Sequence, residues 1–60
     1  MSKLLLRPEE AAELLGVGRS KMYELIAAGA VKSMKIGALR RVPVGALDDY
    51  VAALVEDGAA

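Results

Sequence analysis

The feature that most constrains this chain is a break of only three residues, Gly16-Val17-Gly18, between two short amphipathic segments. The first segment, residues 7–15, begins with Arg-Pro, and proline fits the first turn of a helix because its missing N–H would have no partner there. Ala11, Leu14 and Leu15 follow helical spacing and predict a buried stripe. The first glycine of the break is expected to end this short helix in a left-handed cap.

The second segment, Arg19 to Ala28, has the same helical period, and Gly29 stops it. Met22, Leu25 and Ile26 lie on one side of this segment, which predicts that this side is buried. A helical wheel places polar residues on the opposite side and on the flanks. Two helices joined by a short turn that contains glycine form the helix-turn-helix arrangement, which we expect here.

Beyond the second helix the period of the sequence changes. Residues 31–42 alternate imperfectly around Gly37-Ala38, which indicates two short strands and a turn, although the turn lacks the Asn-Gly or Asp-Gly pair typical of tight hairpins. Residues 4–6 are expected to be extended beneath the helices, and a final helix is predicted over residues 44–56. Its apolar stripe, which would close the core, consists of Leu47, Tyr50, Val51 and Leu54.

Length and composition exclude several classes of protein. With no cysteine and no histidine, the chain has no disulfide, no thiolate nucleophile, no imidazole base and no Cys- or His-ligated metal. A chain of 60 residues forms one small domain, so we expect a single domain over residues 1–60 with its core at about 4–55. No apolar run is long enough for a membrane span or a secretory signal, and we expect a cytoplasmic protein that starts at Met1.

The acidic residues do not indicate an enzyme. They lie at predicted helix starts or in the C-terminal tail, where solvent would surround them, whereas acid–base catalysis needs perturbed groups in a pocket. Glu9, Glu10 and Glu13 fit compensation of the helix dipole. The glycines at positions 16 and 18 lack the rest of any phosphate-binding fingerprint. We therefore expect neither catalysis nor a small-molecule substrate, cofactor or metal.

The formal net charge is zero, but the charge is unevenly distributed. Residues 19–41 carry six basic side chains and one acidic side chain, a net charge of +5, whereas residues 1–18 carry −1 and residues 42–60 carry −4. The basic stretch coincides with the second helix and the hairpin, the two elements that a winged helix presents to DNA. Such a face attracts phosphates through counterion release. The alternative is that these charges only solvate a surface.

Several stretches also carry a family resemblance. Residues 10–23, together with residues 34–37, 40–43 and 46–50, resemble the excisionase-family DNA-binding proteins, and the resemblance spans about residues 4–55. It implies an α+β fold, a small winged helix-turn-helix related to the DNA-binding domain of MerR. Three helices are implied, with a two-stranded β-hairpin wing between the second and the third.

The resemblance further implies which residues face DNA. On the recognition helix they are Arg19, Ser20, Lys21, Tyr23 and Glu24. In the wing, where side chains would reach the DNA backbone or the minor groove, they are Lys35, Leu39, Arg40 and Arg41.

Some of these residues have more than one interpretation. Tyr23 either donates to a phosphate or only covers the flank of its helix, and Ser20 is a phosphate contact or an ordinary first-turn residue. Glu24 accepts from a cytosine amino group, orients a neighbouring arginine, or faces water. Leu39, where relatives are usually polar, wedges against DNA sugars, touches another protein, or is a tolerated surface leucine. Gly45, a poor helix former, predicts a late start of the third helix.

The sequence therefore predicts a sequence-specific DNA-binding protein of the excisionase type, a recombination directionality factor that assists an integrase in prophage excision. Its expected partners are double-stranded DNA, an integrase, and further copies of itself on DNA. The alternative is a small MerR-like transcriptional regulator, but such regulators continue into a coiled coil that this sequence lacks. A third possibility is a protein-interaction module whose basic face meets an acidic partner.

Overall fold

The computed structural model describes residues 4–58, which form three helices and a small three-stranded sheet. The elements, in chain order, are β1 (Leu5–Leu6), α1 (Pro8–Leu15), α2 (Arg19–Ala27), β2 (Met34–Ile36), β3 (Leu39–Pro43) and α3 (Val44–Asp57). The predicted α+β class is confirmed, and so is the position of the hairpin between the second and third helices.

The sheet contains one strand that the sequence pattern does not predict. β1 pairs with β3 in antiparallel fashion, with Leu5 opposite Pro43 and Leu6 opposite Val42. The strand order is β1-β3-β2, so β3 joins the hairpin to the body of the protein. A strand of two residues is too short to show alternation, which is why the sequence indicates only an extended segment there.

Both ends of α1 agree with the sequence prediction. The backbone N–H of Arg7 donates to the Glu10 carboxylate at 2.9 Å, and Pro8 occupies the first helical turn. Gly16 ends the helix with a left-handed φ of 73°, and its N–H donates to the Glu13 carbonyl at 3.1 Å. Because one left-handed residue closes the helix, α2 begins only three residues later.

The hairpin turn explains the absence of an Asn-Gly pair. Of its two residues, Gly37 has a positive φ of 64° and Ala38 does not. That sign pattern matches a type II′ turn, which takes glycine at its first central position and leaves the second open to other residues.

α3 starts at the residue that the apolar pattern predicts, and the later start expected from Gly45 is wrong. It begins at Val44, directly after Pro43, so Gly45 lies within the first turn and does not delay the helix. No helix within residues 4–58 has the length and apolar character needed to span a bilayer.

The core takes side chains from every element except β2. The largest fully buried side chains are Met22 of α2, Val31 of the following loop and Val42 of β3. The remaining buried residues are Leu6, Pro8, Ala11, Ala12, Ala46 and Leu47. Because all of β2 is exposed, the hairpin extends from the body as a wing that is held through β3.

Three apolar residues that the periodicity places in the core lie on the surface. Leu14 of α1 is 65% exposed and Leu54 of α3 is 52% exposed, and Val51 is exposed too. Leu47 is buried and Tyr50 is partly buried, so only the first half of α3 closes the core. For Val51 and Leu54 the reason is length, since a 14-residue helix is about 21 Å long and an eight-residue partner covers only about 12 Å of it.

Replacing Met22 with Ala is expected to lower the free energy of unfolding by about 2–5 kcal/mol, because a fully buried side chain leaves a cavity. Met22→Leu conserves volume and should cost less than about 1.5 kcal/mol. Leu54→Ala, the exposed control on α3, should change stability by no more than about 0.5 kcal/mol. Urea denaturation followed by circular dichroism measures all three, and equal losses for Met22→Ala and Leu54→Ala would contradict this core.

Candidate nucleic-acid interface

The exposed side of α2 carries all five residues predicted for the recognition helix. Arg19, Ser20, Lys21, Tyr23 and Glu24 are exposed. Met22, which lies among them, is fully buried and fixes which side of the helix faces outward. An open depression of ≈ 470 Å³ runs along this side, and its lining residues are Arg19, Ser20, Tyr23, Glu24 and Ala27.

A residue of α1 that the sequence pattern does not single out reaches this side of α2. The Oε2 atom of Glu9 accepts hydrogen bonds from the Nε of Arg19 at 3.1 Å and from the hydroxyl of Tyr23 at 3.2 Å. The guanidinium carbon of Arg19 also lies 5.4 Å from the centroid of the Tyr23 ring, within range of a cation–π interaction. We call these three residues the Glu9 cluster.

The sequence predicts only one of the contacts in the Glu9 cluster. Arg19 and Tyr23 are four residues apart, so their contact on one side of a helix is predictable. Glu9, in contrast, is indistinguishable in sequence from its acidic neighbours, and only the crossing of α1 over α2 selects it. Glu24, for which orientation of an arginine is one interpretation, makes no side-chain hydrogen bond to any residue between 4 and 58.

The Glu9 cluster changes the acid–base properties of its members. The pKa of Glu9 is lowered, most strongly by a hydrogen bond with its own backbone amide and further by the Tyr23 hydroxyl and the positive charge of Arg19, while loss of solvent acts in the opposite direction. The pKa of Arg19 is raised by its interactions with Tyr23 and Glu9. Both directions favour the ionised pair at neutral pH.

The wing places two cations directly opposite each other. Lys35 of β2 pairs with Arg40 of β3, and both are exposed. Like charges opposite each other on adjacent strands destabilise the pairing. Arg40 donates from Nη1 to the Ser33 hydroxyl at 3.0 Å, so its guanidinium is already held at one nitrogen. An anion between the two cations would remove their repulsion, which makes this pair suited to a phosphate.

The opposite face of the wing is apolar at its tip. Ile36 pairs with Leu39 next to the turn, and Met34 pairs with Arg41, so these side chains share one face of the hairpin. Leu39 is 55% exposed, and Ile36 and Met34 are exposed as well. Leu39 is therefore part of an apolar patch bordered by a guanidinium group, not an isolated surface leucine.

The uneven charge of the sequence is preserved in three dimensions. The basic side chains of α2 and the wing are exposed or, in the case of Arg41, partly exposed. The acidic residues of α3 are all exposed on a different element, and they are Asp48, Asp49, Glu56 and Asp57. Within residues 4–58 no three acidic side chains converge on a common point that would hold a metal ion.

The sequence of this chain is similar to those of known proteins. The family model of a helix-turn-helix domain matches residues 5–54. A probable excisionase from Saccharopolyspora erythraea is 52% identical over 54 residues, which cover 90% of this chain and 55% of that protein. An excisionase from Streptomyces ambofaciens is 47% identical over 49 residues, covering 82% of this chain and 77% of that protein. The chain thus spans about half the length of the first relative. No solved structure shows significant similarity.

The carboxyl group of Glu9 is expected to titrate below the ordinary range of glutamate, as NMR of its carboxyl carbon can measure. Tyr23→Phe should raise this pKa only part of the way, because the backbone amide and Arg19 remain. Since the folded-state pKa lies below the unfolded one, the stabilisation is present above the ordinary pKa and is lost as the pH falls through the folded-state value. Tyr50→Phe, outside the cluster, should leave the titration unchanged, and an unshifted Glu9 would contradict the hydrogen bonds.

Proposed function

Because the chain belongs to the excisionase-type helix-turn-helix DNA-binding proteins, we propose that it is a recombination directionality factor, which binds near an attachment site and assists an integrase in excising a prophage. The observation that carries this proposal is the identity of about half the residues to proteins named as excisionases, over most of this chain. The exposed basic side of α2 and the cationic wing support it. Such a role also implies a cytoplasmic location, where the bacterial DNA lies.

The proposed binding mode follows from the two basic elements. α2 enters the major groove, as second helices of helix-turn-helix units do, with Arg19 and Lys21 toward the base edges. The wing lies on the adjacent backbone, where Lys35 and Arg40 hold a phosphate between them. The tip of the wing enters the minor groove, so that Leu39 and its apolar neighbours, on the other face of the hairpin, reach the sugars there.

The size of this interface requires additional contacts. A single small module of this kind buries only about 600–1,000 Å² on DNA. The formal net charge of zero also limits non-specific attraction to the duplex, because the acidic α3 opposes the basic face at long range. We therefore propose that binding at adjacent sites by further copies, or contact with the integrase, supplies the remaining affinity through effective concentration.

Arg41→Ala is expected to weaken binding to all DNA sequences, because a wing arginine neutralises backbone phosphate, whereas Lys21→Ala should change the sequence preference of α2. Fluorescence anisotropy between about 50 and 200 mM salt should show steeply falling affinity for the wild type and a log–log salt slope reduced by about 1 in Arg41→Ala. Ala53→Glu changes the net charge equally at an exposed site on α3 and should have much less effect. If Lys21→Ala and Arg41→Ala change affinity and sequence preference in the same way, this division of roles is wrong.

Excision by the cognate integrase should require this protein when both are supplied with a DNA substrate that carries the two prophage attachment sites. A double variant, Arg40→Ala with Arg41→Ala, is expected to lose most of the stimulation while keeping the wild-type circular dichroism spectrum. If the wild type binds DNA without stimulating excision, and represses a nearby promoter instead, the recombination role is wrong and a small transcriptional regulator is the better description.

A further inference from the structure

We propose that Glu9 of α1 is a positioning residue for sequence recognition, which orients Arg19 of α2 so that its two terminal nitrogens face the bases. Glu9 contacts no DNA in this scheme and acts through Arg19. The inference rests on the DNA binding proposed above and adds a specificity determinant outside the recognition helix.

Two neighbours, Glu9 and Tyr23, hold the side chain of Arg19. Its side chain is 70% exposed, and an arginine this exposed usually samples many rotamers. Here the guanidinium is fixed on two sides, by the hydrogen bond from Nε to Glu9 at 3.1 Å and by the ring of Tyr23 at 5.4 Å. Arg19 therefore loses less side-chain conformational entropy when it contacts DNA.

The contact with Glu9 determines which nitrogens of Arg19 are available to a base. The hydrogen bond that holds Arg19 on Glu9 is donated by Nε, and the guanidinium interacts with Tyr23 as well. Arginine can present a fork either from the side, through Nε and one Nη, or from the end, through both Nη groups. Because Nε is bonded to Glu9, Arg19 cannot offer Nε together with one Nη to a base. The two Nη groups remain, and they can pair with the two acceptors of guanine in the major groove.

Tyr23 donates its single hydroxyl proton to Glu9. While this bond persists, the hydroxyl cannot donate to a phosphate, so Tyr23 supports the same arrangement from beneath the guanidinium. Of the two interpretations of Tyr23 from the sequence, this geometry favours a role within the protein.

The charge of Glu9 acts on DNA binding in addition to its hydrogen bonds, and the two effects predict different changes in affinity. A carboxylate beside Arg19 cancels part of its charge toward any phosphate, and therefore weakens non-specific binding. If the same carboxylate also orients Arg19 toward a base, its removal strengthens binding to unrelated DNA while binding to the correct site gains less or falls. A carboxylate that acted only through its charge would change both affinities equally.

The test compares Glu9→Gln and Glu9→Ala with wild type on two short duplexes, one carrying a site that the wild type selects from a random pool and one with that site scrambled. Glu13→Gln is the matched control, since it removes an equal charge from an exposed position on α1. We expect the ratio of specific to non-specific affinity to fall about tenfold in both Glu9 variants, within the range of one bidentate base contact. The ratio in Glu13→Gln should equal that of the wild type.

A double-variant cycle separates positioning from a general structural effect. Arg19→Ala should lower the ratio at least as much as Glu9→Ala, and the combined variant should lose no more than Arg19→Ala alone, because both changes remove one contact. Circular dichroism and thermal melting verify that each variant is folded.

Two results would overturn the inference. Either an unchanged ratio in folded Glu9→Ala or additive losses in the double variant would show that Glu9 does not act through Arg19, and DNA binding itself would still stand. If the wild type binds neither duplex at low salt, the proposed function fails, and this inference fails with it.

Discussion

The rest of the structure depends on one backbone constraint, the left-handed conformation of Gly16 at the end of α1. A residue with a Cβ atom adopts this φ only with strain. Because the helix closes within one residue, α2 starts after only three residues and packs across α1, and this packing buries Met22 in the core. The burial of Met22 fixes the rotation of α2, so the side chains on either side of it face outward. The same crossing brings Glu9 to Arg19.

The sequence predicts the helices, the hairpin and the outward side of α2, because each depends on local periodicity or on a glycine or proline. It does not predict features that depend on how far one element extends over another. Leu14 and Leu54 follow helical spacing and yet lie on the surface, since spacing identifies a side of a helix and not how much of that side has a partner. The β1 strand and the contact of Glu9 with α2 arise from tertiary packing between distant residues.

Two opposing electrostatic effects meet on the candidate interface. The wing sets Lys35 against Arg40, and this repulsion is a source of affinity for any polyanion, whatever its sequence. On α2 the Glu9 carboxylate accepts a hydrogen bond from Arg19, and in our proposal it reduces general attraction to DNA and limits the directions in which this arginine can pair. In the proposed binding mode, the wing supplies attraction to DNA and the helix supplies discrimination between sequences. A net charge of zero is the sum of these effects and describes neither of them.

The central position of β3 has a mechanical consequence. This strand runs from a two-residue turn directly into α3, and it pairs with β2 through residues 39–41 and with β1 through residues 42–43. On the side of α3, β3 therefore joins the wing to the body without an intervening loop, and this connection limits changes in the spacing between the wing and α2. A duplex that meets both surfaces must adapt its own curvature and groove width, at an elastic cost that depends on its base steps. Stiff DNA would be disfavoured even where every contacted base is correct.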